Sequence, residues 1–247
     1  MILAIDAGNS RVKWGWYDSK LNDVGGWSSI ANVSLIEFAA SSDHINPFSA
    51  THADPSRIII SNVAGDGAQQ LIVNWTSIFD AAPEWVRGER ERCGVSSRYD
   101  NPEALGPDRW AALIAARALE PARTCLVVNA GTCTTVDMLS AGGEFTGGLI
   151  LPGVDLMRFV LHEHTGRLPL QEGRFSAAPR NTLDAIESGC RHAQAGAVER
   201  MYRGMREAAL LVSGGGGPAL IERLDLPCRY VENLVLEGLA RIGQSPA

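Results

Sequence analysis

Short apolar runs alternate along the chain with longer stretches in which apolar residues recur at helical spacing. The runs are rich in β-branched residues and are bounded by Gly, Asn or Asp, a pattern typical of β-strands. They predict strands at 2–5, 12–17, 57–63, 124–128, 134–139 and 209–213. The helical spacing predicts helices at 33–40, 68–78, 109–119, 182–205 and 234–242. This alternation of strands and helices predicts an α/β protein.

Two segments of the chain resemble each other. IDAGNSRVKW at 5–14 and VNAGTCTTVD at 128–137 each contain a strand, then Asp or Asn, then Ala-Gly, a small polar residue and a second strand. The repeat predicts a duplicated chain in which each half opens with a strand, a glycine turn and a strand. We place the two domains at 1–120 and 121–247, because Pro121 interrupts the pattern there.

The first of these turns has the composition of a phosphate site. A tight glycine turn exposes backbone N–H groups and allows close approach of a ligand, since Gly8 has no Cβ. Asn9 and Ser10 add side-chain donors, and strand alternation decides whether Lys13 reaches the same place. Asp6 repels phosphate unless Mg²⁺ lies between them. An ordinary hairpin turn has a similar composition. Because the chain contains two such turns, we favour the interpretation in which both bind one polyphosphate between two domains.

A third glycine cluster, at 213–217, directly follows the strand predicted at 209–213. Four glycines leave room for a flat ring against the backbone, so the segment is a candidate nucleoside pocket. A flexible loop is the alternative interpretation of the same residues.

The segment YDNPEALGPDRWAAL at 99–113 leads into the helix predicted at 109–119. Pro107 suits the first position of a helix, which places Asp108 in the first turn. Asp108 either complements the helix dipole or acts as a general base, with Arg109 binding an anionic group. A carboxylate stabilised by a helix N-terminus is a weak base, which suffices for phosphoryl transfer through a loose transition state.

Composition limits the function classes. The 247 residues are 45% hydrophobic and 20% charged, with a net charge of −6, so the chain forms a proper core and lacks the positive surface of nucleic-acid or anionic-membrane binders. Five cysteines without a CxxC pair favour reduced thiols. The sequence has neither a signal-peptide pattern nor an apolar run of membrane-spanning length. We therefore expect a cytoplasmic protein with no nucleic-acid or membrane partner.

Six strings together resemble one known family. DAGNSRVK, NPEALGPDRW, NAGTCTTVD, GGEFTGGLILPG, RNTLDAIESG and ENLVLEGL occur in that order, and the resemblance runs from residue 1 to about residue 243. They resemble the type III pantothenate kinases, which belong to the acetate and sugar kinase, Hsp70 and actin superfamily. The most specific element is Gly-Pro-Asp-Arg-Trp at 106–110.

The resemblance implies a fold and an activity. The fold is a duplicated ribonuclease H-like (actin-like ATPase) fold, with two mixed-sheet domains and flanking helices. The implied enzyme is a homodimer that uses ATP and Mg²⁺ to convert pantothenate into 4′-phosphopantothenate, the first step of coenzyme A synthesis. Another small-molecule kinase of the superfamily, and a non-catalytic nucleotide-binding regulator, are the alternatives.

The resemblance also assigns roles to residues. The implied ATP-binding residues are Asp6, Ala7, Gly8, Asn9, Ser10, Arg11, Val12, Lys13 and Thr132. Asp6 holds Mg²⁺, and Asp108 deprotonates the substrate hydroxyl. The implied pantothenate contacts are Tyr99, Gly106, Pro107, Asp108, Arg109 and Thr182, and either the same subunit or its partner supplies Thr182.

The second turn departs from the family pattern at one position. The family usually has Asp there, where it helps to bind an activating K⁺ or NH₄⁺, whereas this chain has Asn129. An amide oxygen still ligates a monovalent cation but brings no charge. We expect weaker cation binding at Asn129, or binding through backbone oxygens alone.

Overall fold

The computed structural model describes residues 1–18, 26–40, 54–205 and 207–246. Its strands are β1 Ile2–Ala7, β2 Arg11–Tyr17, β3 Trp27–Ser34, β4 Arg57–Asn62, β5 Pro83–Trp85, β6 Glu91–Arg92, β7 Val95–Ser97, β8 Cys125–Ala130, β9 Cys133–Leu139, β10 Glu144–Pro152, β11 Ala209–Ser213 and β12 Cys228–Tyr230. Its helices are α1 Leu35–Ala40, α2 Asp66–Thr76, α3 Pro107–Leu119, α4 Val154–Glu163, α5 Thr182–Arg203, α6 Gly217–Ile221 and α7 Leu234–Gln244.

The chain forms two compact units. The first comprises Met1–Pro121, Gly143–Phe145 and Asn233–Ala247, and the second comprises Ala122–Gly142 and Thr146–Glu232. The first unit therefore includes the C-terminal helix α7, which lies in the second of the predicted halves. The duplication boundary near residue 120 stays a prediction.

The first unit contains a five-stranded mixed sheet in the order β3-β2-β1-β4-β5. Strand β1 pairs antiparallel with β2 and parallel with β4, so it is central. Its residues are buried on both faces except at Asp6. Isoleucines of β4 and β1 pack with Trp14, Trp16 and Trp75 in one apolar core. The sheet is thus rigid where β1 and β4 reach their carboxyl ends.

Helix α3 is buried at every position from 109 to 116. Helix α7 packs against it, and the two helices meet closely at Gly238. A Cβ at Gly238 would lie 1.9 Å from the carbonyl oxygen of Ala111. The glycine therefore permits this contact, which fixes the helix that carries Asp108.

The second unit repeats the same strand arrangement. Its strands follow the order β12-β11-β8-β9-β10. Strand β8 pairs antiparallel with β9 and parallel with β11, and β11 pairs parallel with β12, as β1, β2, β4 and β5 do in the first unit. Two mixed sheets with one topology confirm the predicted duplicated ribonuclease H-like fold.

The sequence patterns missed the short elements β5, β6, β7, β12 and α6, they missed the longer elements β3, β10 and α4, and they shifted the start of α1. Strand β3 and strand β10 lack a long β-branched run, and β10 contains two glycines and a proline, so neither gave a strand signal. Helix α4 was also missed. The helix predicted at 33–40 begins at Leu35, because residues 33 and 34 pair with β2 as the end of β3.

Candidate functional site

Polar side chains form a row across one end of the first sheet. Asp6 is paired with Lys13 on β2 and with Ser61 on β4, and Lys13 is paired in turn with Asn32 on β3. Directly paired residues point to the same face of a sheet. Lys13 therefore shares the face of Asp6, which answers the question that strand alternation had left open.

Asp6 lacks the partners that a carboxylate normally has. Its Oδ1 atom is buried and has no hydrogen-bond partner among the described residues, and the same holds for Oγ of Ser61. Burial, and then the negative charge of Asp108, raise the pKa of Asp6 to about 7, while Lys13 acts in the opposite direction. An orphaned buried carboxylate oxygen fits a divalent cation, which favours the ionised form.

Asp108 stands at the N-terminus of α3, which begins at Pro107 as predicted. Its Oδ1 accepts a hydrogen bond of 2.8 Å from the backbone N–H of Arg109. A Cβ at Gly106 would lie 2.7 Å from that oxygen, so the glycine leaves room for the carboxylate to fold back over the helix start.

The expectation that Asp108 is a weak base was wrong. Burial raises the pKa of Asp108 above its usual value, and this effect exceeds the lowering by the backbone N–H and guanidinium of Arg109. The helix N-terminus alone predicts the opposite direction. Desolvation prevails because the carboxyl group is largely surrounded by protein, which makes Asp108 a stronger base than an exposed aspartate.

Asp6 and Asp108 are electrostatically coupled within the first unit. The charge of Asp108 is close enough to raise the pKa of Asp6, although the two residues lie on different elements. A pair of coupled carboxylates with one lysine nearby is suited to divide two tasks, cation binding and proton acceptance.

A second cluster surrounds Arg109 in the first unit. The residue is 6% exposed, and its Nη1 donates a hydrogen bond of 3.2 Å to the hydroxyl of Tyr99. Its guanidinium carbon lies 5.8 Å from the ring centre of Tyr99 and 5.7 Å from that of Phe145. The structure thus brings two predicted substrate residues together. Phe145 was missed, since a lone aromatic in a glycine-rich strand carries no sequence signal.

The first glycine turn connects β1 to β2. Gly8 donates its N–H to the carbonyl of Arg11 at 2.9 Å, and the side chains of Asn9 and Ser10 are exposed. Among the residues that the structure describes, a Cβ at Gly8 would meet only the Arg11 carbonyl, at 3.3 Å. Packing within the chain leaves this space open, which fits close approach by a ligand.

Three other residues of the predicted phosphate loop differ in what they expose. The side chains of Ala7 and Val12 lie in the apolar core, so only their backbone groups face outward. Arg11 is exposed, and its Nε donates a hydrogen bond of 2.6 Å to Oδ1 of Asn32.

The second glycine turn, between β8 and β9, is one residue shorter. Gly131 donates its N–H to the carbonyl of Cys133 at 3.0 Å. Because of the shorter turn, Asn129 is paired with Thr135, whereas Asp6 is paired with the lysine. When the two segments are aligned without a gap, aligned residues therefore occupy equivalent structural positions up to the glycine. After the glycine, the equivalent positions are offset by one residue. Thr132 is exposed, and its carbonyl accepts the N–H of Gly153 at 2.8 Å.

Most of the 213–217 cluster has a structural purpose. Gly214 has a φ of 90°, and a Cβ there would lie 2.2 Å from the carbonyl of Ala130. Gly216 donates its N–H to that same carbonyl, and a Cβ at Gly217 would strike the ring of Tyr230 at 2.7 Å. A Cβ at Gly215 would meet no atom within 4 Å among the described residues. Gly215 therefore remains the candidate in this cluster for contact with a nucleoside ring.

Thr182 lies in the second unit, at the first residue of α5, and is exposed. It borders an apolar groove of about 650 Å³ that the sequence had not indicated. The groove lies between α4 and α5 and is lined by Pro152, Met157, Val160, Leu161, Leu168, Thr182, Ala185, Ile186, Gly189 and Cys190.

Two kinds of feature are absent from the described ranges. No group of three or more His, Cys, Asp or Glu side chains is placed to hold a metal ion there. None of the helices in that part of the chain has the length and apolar character needed to cross a membrane. A cation held by Asp6 would need its remaining ligands from substrate and water, as Mg²⁺ commonly does.

Structural comparison supports the fold. A proposed 2-dehydro-3-deoxygalactonokinase from Sinorhizobium meliloti has a TM-score of 0.63 at 17% identity, with 97% of each chain covered. An activator of 2-hydroxyisocaproyl-CoA dehydratase from Clostridium difficile, solved with ADPNP bound, has a TM-score of 0.52 at 11% identity, covering 97% of this chain and 91% of the other. These likenesses concern the fold, which is that of actin-like ATPases and sugar kinases.

Sequence comparison identifies the family. Residues 2–204 match the family model of type III pantothenate kinase. The type III pantothenate kinase of Aromatoleum aromaticum is 51% identical over 252 residues, covering 100% of this chain and 99% of the relative. That of Azoarcus sp. is 43% identical over 250 residues, covering 100% and 92%. With the family model and both relatives spanning most or all of its length, the chain belongs to the type III pantothenate kinase family.

Proposed function

We propose that this protein is a pantothenate kinase, which transfers the γ-phosphoryl group of ATP to the primary hydroxyl of pantothenate. The products are ADP and 4′-phosphopantothenate, and the reaction opens coenzyme A synthesis. The structural observation that most directly supports this chemistry concerns Asp6 and Asp108. The two carboxyl groups lie close enough in the first unit for the charge of Asp108 to raise the pKa of Asp6. A regulator that had lost catalysis has no need for two partly buried carboxylates whose pKa values are raised by desolvation.

Asp108 is the proposed general base. Its raised pKa increases its affinity for the proton of the attacking hydroxyl, and its carboxylate keeps a fixed orientation through the N–H of Arg109. The proton passes from the pantothenate hydroxyl to a carboxylate oxygen of Asp108 while the oxygen attacks phosphorus. In a loose transition state, positioning of the hydroxyl contributes more than the strength of the base.

Asp6 and Lys13 are proposed to serve the phosphate groups. Asp6 would hold the Mg²⁺ ion, which neutralises charge on the triphosphate when it is bound. Lys13 lies on the same face and supplies a fixed positive charge. The backbone N–H groups and the side chains of Asn9 and Ser10 in the first turn bind phosphate oxygens.

In the second unit, Thr132 and Asn129 are proposed to complete ATP and cation binding. Thr132 presents an exposed side chain on the turn, and its carbonyl is held by Gly153. Asn129 offers a neutral amide oxygen for K⁺ or NH₄⁺, so cation binding there is weaker than an aspartate would give.

Pantothenate is proposed to contact Tyr99, Gly106, Pro107 and Arg109, next to Asp108. Arg109 is largely buried and stays cationic, so it is suited to hold the carboxylate end of pantothenate or to stabilise the moving phosphoryl group. The hydrogen bond from Arg109 to the hydroxyl of Tyr99 fixes the orientation of both side chains.

We also propose a homodimer, with Thr182 contacting pantothenate from one subunit or the other. Large apolar side chains are exposed together on β10 and α4 of the second unit, where Ile150 is 63% and Phe159 is 48% exposed. Exposed apolar surface of this kind is typical of subunit interfaces. Light scattering after gel filtration tests the dimer, and Phe159→Asp should shift the molecule towards the monomer.

The activity is tested by ADP release with pantothenate, ATP and Mg²⁺. We expect Asp108→Asn to lower kcat about 10²–10⁴-fold, the usual contribution of a general base. Asp66→Asn is the matched control, because Asp66 is an exposed aspartate in the first turn of α2 in the same unit. If the wild type showed only background turnover with pantothenate but phosphorylated another alcohol, that alcohol would be the acceptor instead.

A further inference from the structure

Two buried polar atoms lie side by side at the carboxyl end of β1 and β4, and neither has a partner in the described chain. Asp6 and Ser61 are paired residues of the two parallel strands. Oδ1 of Asp6 and Oγ of Ser61 are both buried without a hydrogen bond of normal geometry. Ser61 is 0% exposed, so bulk water does not satisfy its hydroxyl either.

Such an arrangement is unfavourable for the protein alone. An unsatisfied buried polar group destabilises a fold by about 1–3 kcal/mol. Another buried hydroxyl of this unit, in Thr76, donates a hydrogen bond of 2.8 Å to the carbonyl of Ile72. Ser61 differs from Thr76 because its hydroxyl faces the carboxylate at the end of the sheet, where parallel strands place ligand sites.

We propose that Ser61 belongs to the divalent-cation site, where its hydroxyl binds the hydrated cation together with Asp6. This inference rests on the proposed function, because it deepens the role given to Asp6. A serine hydroxyl is a weak direct ligand, whereas Mg²⁺ retains several water molecules that need hydrogen-bond partners. Ser61 is thus a positioning residue that orients water bound to the cation, and it does not take part in proton transfer.

The alternative is a direct bond between Ser61 and Asp6. The Ser61 hydroxyl acts to lower the pKa of Asp6, as a hydrogen-bond donor to that carboxylate does. In that case Ser61 is a structural partner of Asp6. The two interpretations predict opposite effects of Ser61→Ala on the metal-free protein, since only a bonded hydroxyl stabilises the fold.

The first test is the unfolding midpoint of the metal-free protein in chelator. Ser61→Ala should leave the midpoint unchanged or raise it, because the variant removes an unsatisfied buried group. Thr76→Val is the matched control and should lower the midpoint, since it removes a bonded hydroxyl. A fall in the midpoint for Ser61→Ala comparable to that of Thr76→Val would overturn the proposal in favour of the direct bond.

The second test measures metal binding without turnover. Calorimetry gives the affinity for a non-hydrolysable ATP analogue with and without Mn²⁺, and the ratio isolates the contribution of the metal. We expect Ser61→Ala to reduce this ratio about 10-fold or more, as the loss of an outer partner of a metal site commonly does. Asp6→Asn should reduce it further, while Thr76→Val should not change it.

The outcomes separate this inference from the proposed function. If the wild type binds the analogue more tightly with Mn²⁺ and Ser61→Ala does so equally, only the role of Ser61 is wrong. If the wild type binds no analogue under either condition, the kinase proposal itself is contradicted. A reduced ratio with an unchanged or raised midpoint supports Ser61 in the cation site.

Discussion

The two glycine turns of this protein share one topology but differ in chemistry. In the first unit the strand ends near Asp6, whose buried Oδ1 lacks a hydrogen-bond partner among the described residues and whose pKa is raised to about 7. In the second unit the same position is Asn129, and the turn is one residue shorter. The first turn has Lys13 opposite the acidic residue, and the second has Thr135 opposite the amide.

The two turns of this chain therefore share a backbone arrangement, while an acidic residue lies near the end of the strand in the first unit and a neutral amide lies there in the second. A neutral amide and a hydroxyl can bind a phosphate group or a monovalent cation. A carboxylate and an ammonium group strengthen each other's charged forms and suit a divalent cation and a triphosphate. On the proposed function, the first turn therefore binds its ligands through charged side chains, and the second binds them through neutral ones.

Among variants of the two turns, the largest expected effect is that of Asp6→Asn, which gives the first turn the residue of the second. We expect kcat/KM for ATP to fall about 10²–10³-fold, the range for the loss of one preorganised electrostatic group. Steady-state kinetics with varied ATP and Mg²⁺ measures it. A loss of less than threefold, with the fold intact by circular dichroism, would show that the two turns are equivalent.

The second effect is a pH dependence of stability that Asp6 has and Asn129 lacks. The folded-state pKa of Asp6 is about 7 and its ordinary value is 3.8, so the folded protein binds the proton more tightly than the unfolded chain. The stabilisation is complete below pH 3.8 and is lost as the pH rises through about 7.

In metal-free buffer, the free energy of unfolding of the wild type should fall relative to that of Asp6→Asn. The expected slope is about 1.4 kcal/mol per pH unit between pH 5 and about 7, levelling off above. Urea unfolding at several pH values measures it. Parallel curves for the two proteins would mean that the carboxyl group is well solvated in the folded state.

The third effect concerns the glycines of the two turns. A Cβ at Gly131 would make an ordinary contact of 3.6 Å, and a Cβ at Gly8 would lie 3.3 Å from the carbonyl oxygen of Arg11, which requires a small shift. We expect Gly8→Ala and Gly131→Ala each to weaken ATP binding about tenfold, near 1.4 kcal/mol, since the methyl group occupies the place of a phosphate oxygen. Stability should change little.

Gly67→Ala is the matched control for the glycine variants, because a Cβ there would meet no atom within 4 Å among the described residues. It should leave ATP affinity unchanged. Unaltered affinity in one of the two turn variants would remove that turn from the phosphate site, which calorimetry with ATP analogue decides.

The smallest expected effect is that of Asn129→Asp, the reverse exchange. One added negative charge should tighten activation by K⁺ about five- to tenfold, since two unit charges 4 Å apart interact by about 1 kcal/mol in water. The half-saturating K⁺ concentration of the kinase reaction measures it. Unchanged activation would place the cation on backbone oxygens or at another site.

Much of this protein was accessible from local patterns. The Ala-Gly turns after apolar strands, and Pro107 before Asp108, predicted where the hairpins and α3 begin, because these signals depend on neighbours in sequence. Ser61 and Phe145 were missed, since their significance comes from strands and loops that meet only after folding. The face of the sheet on which Lys13 lies also became known only from the strand register, which pairs Lys13 with Asp6.

The sequence by itself determined the fold class, the duplication and the family. These follow from turn residues and strand periodicity, which depend on residues that are neighbours in the sequence. Tertiary structure decided the chemistry of the carboxyl groups. The helix N-terminus at Asp108 predicts a lowered pKa, yet the surrounding protein raises it. Asp6 gains its raised pKa from burial and from Asp108, a residue 102 positions away. Desolvation and the charges of distant residues depend on packing in space, which no local pattern encodes.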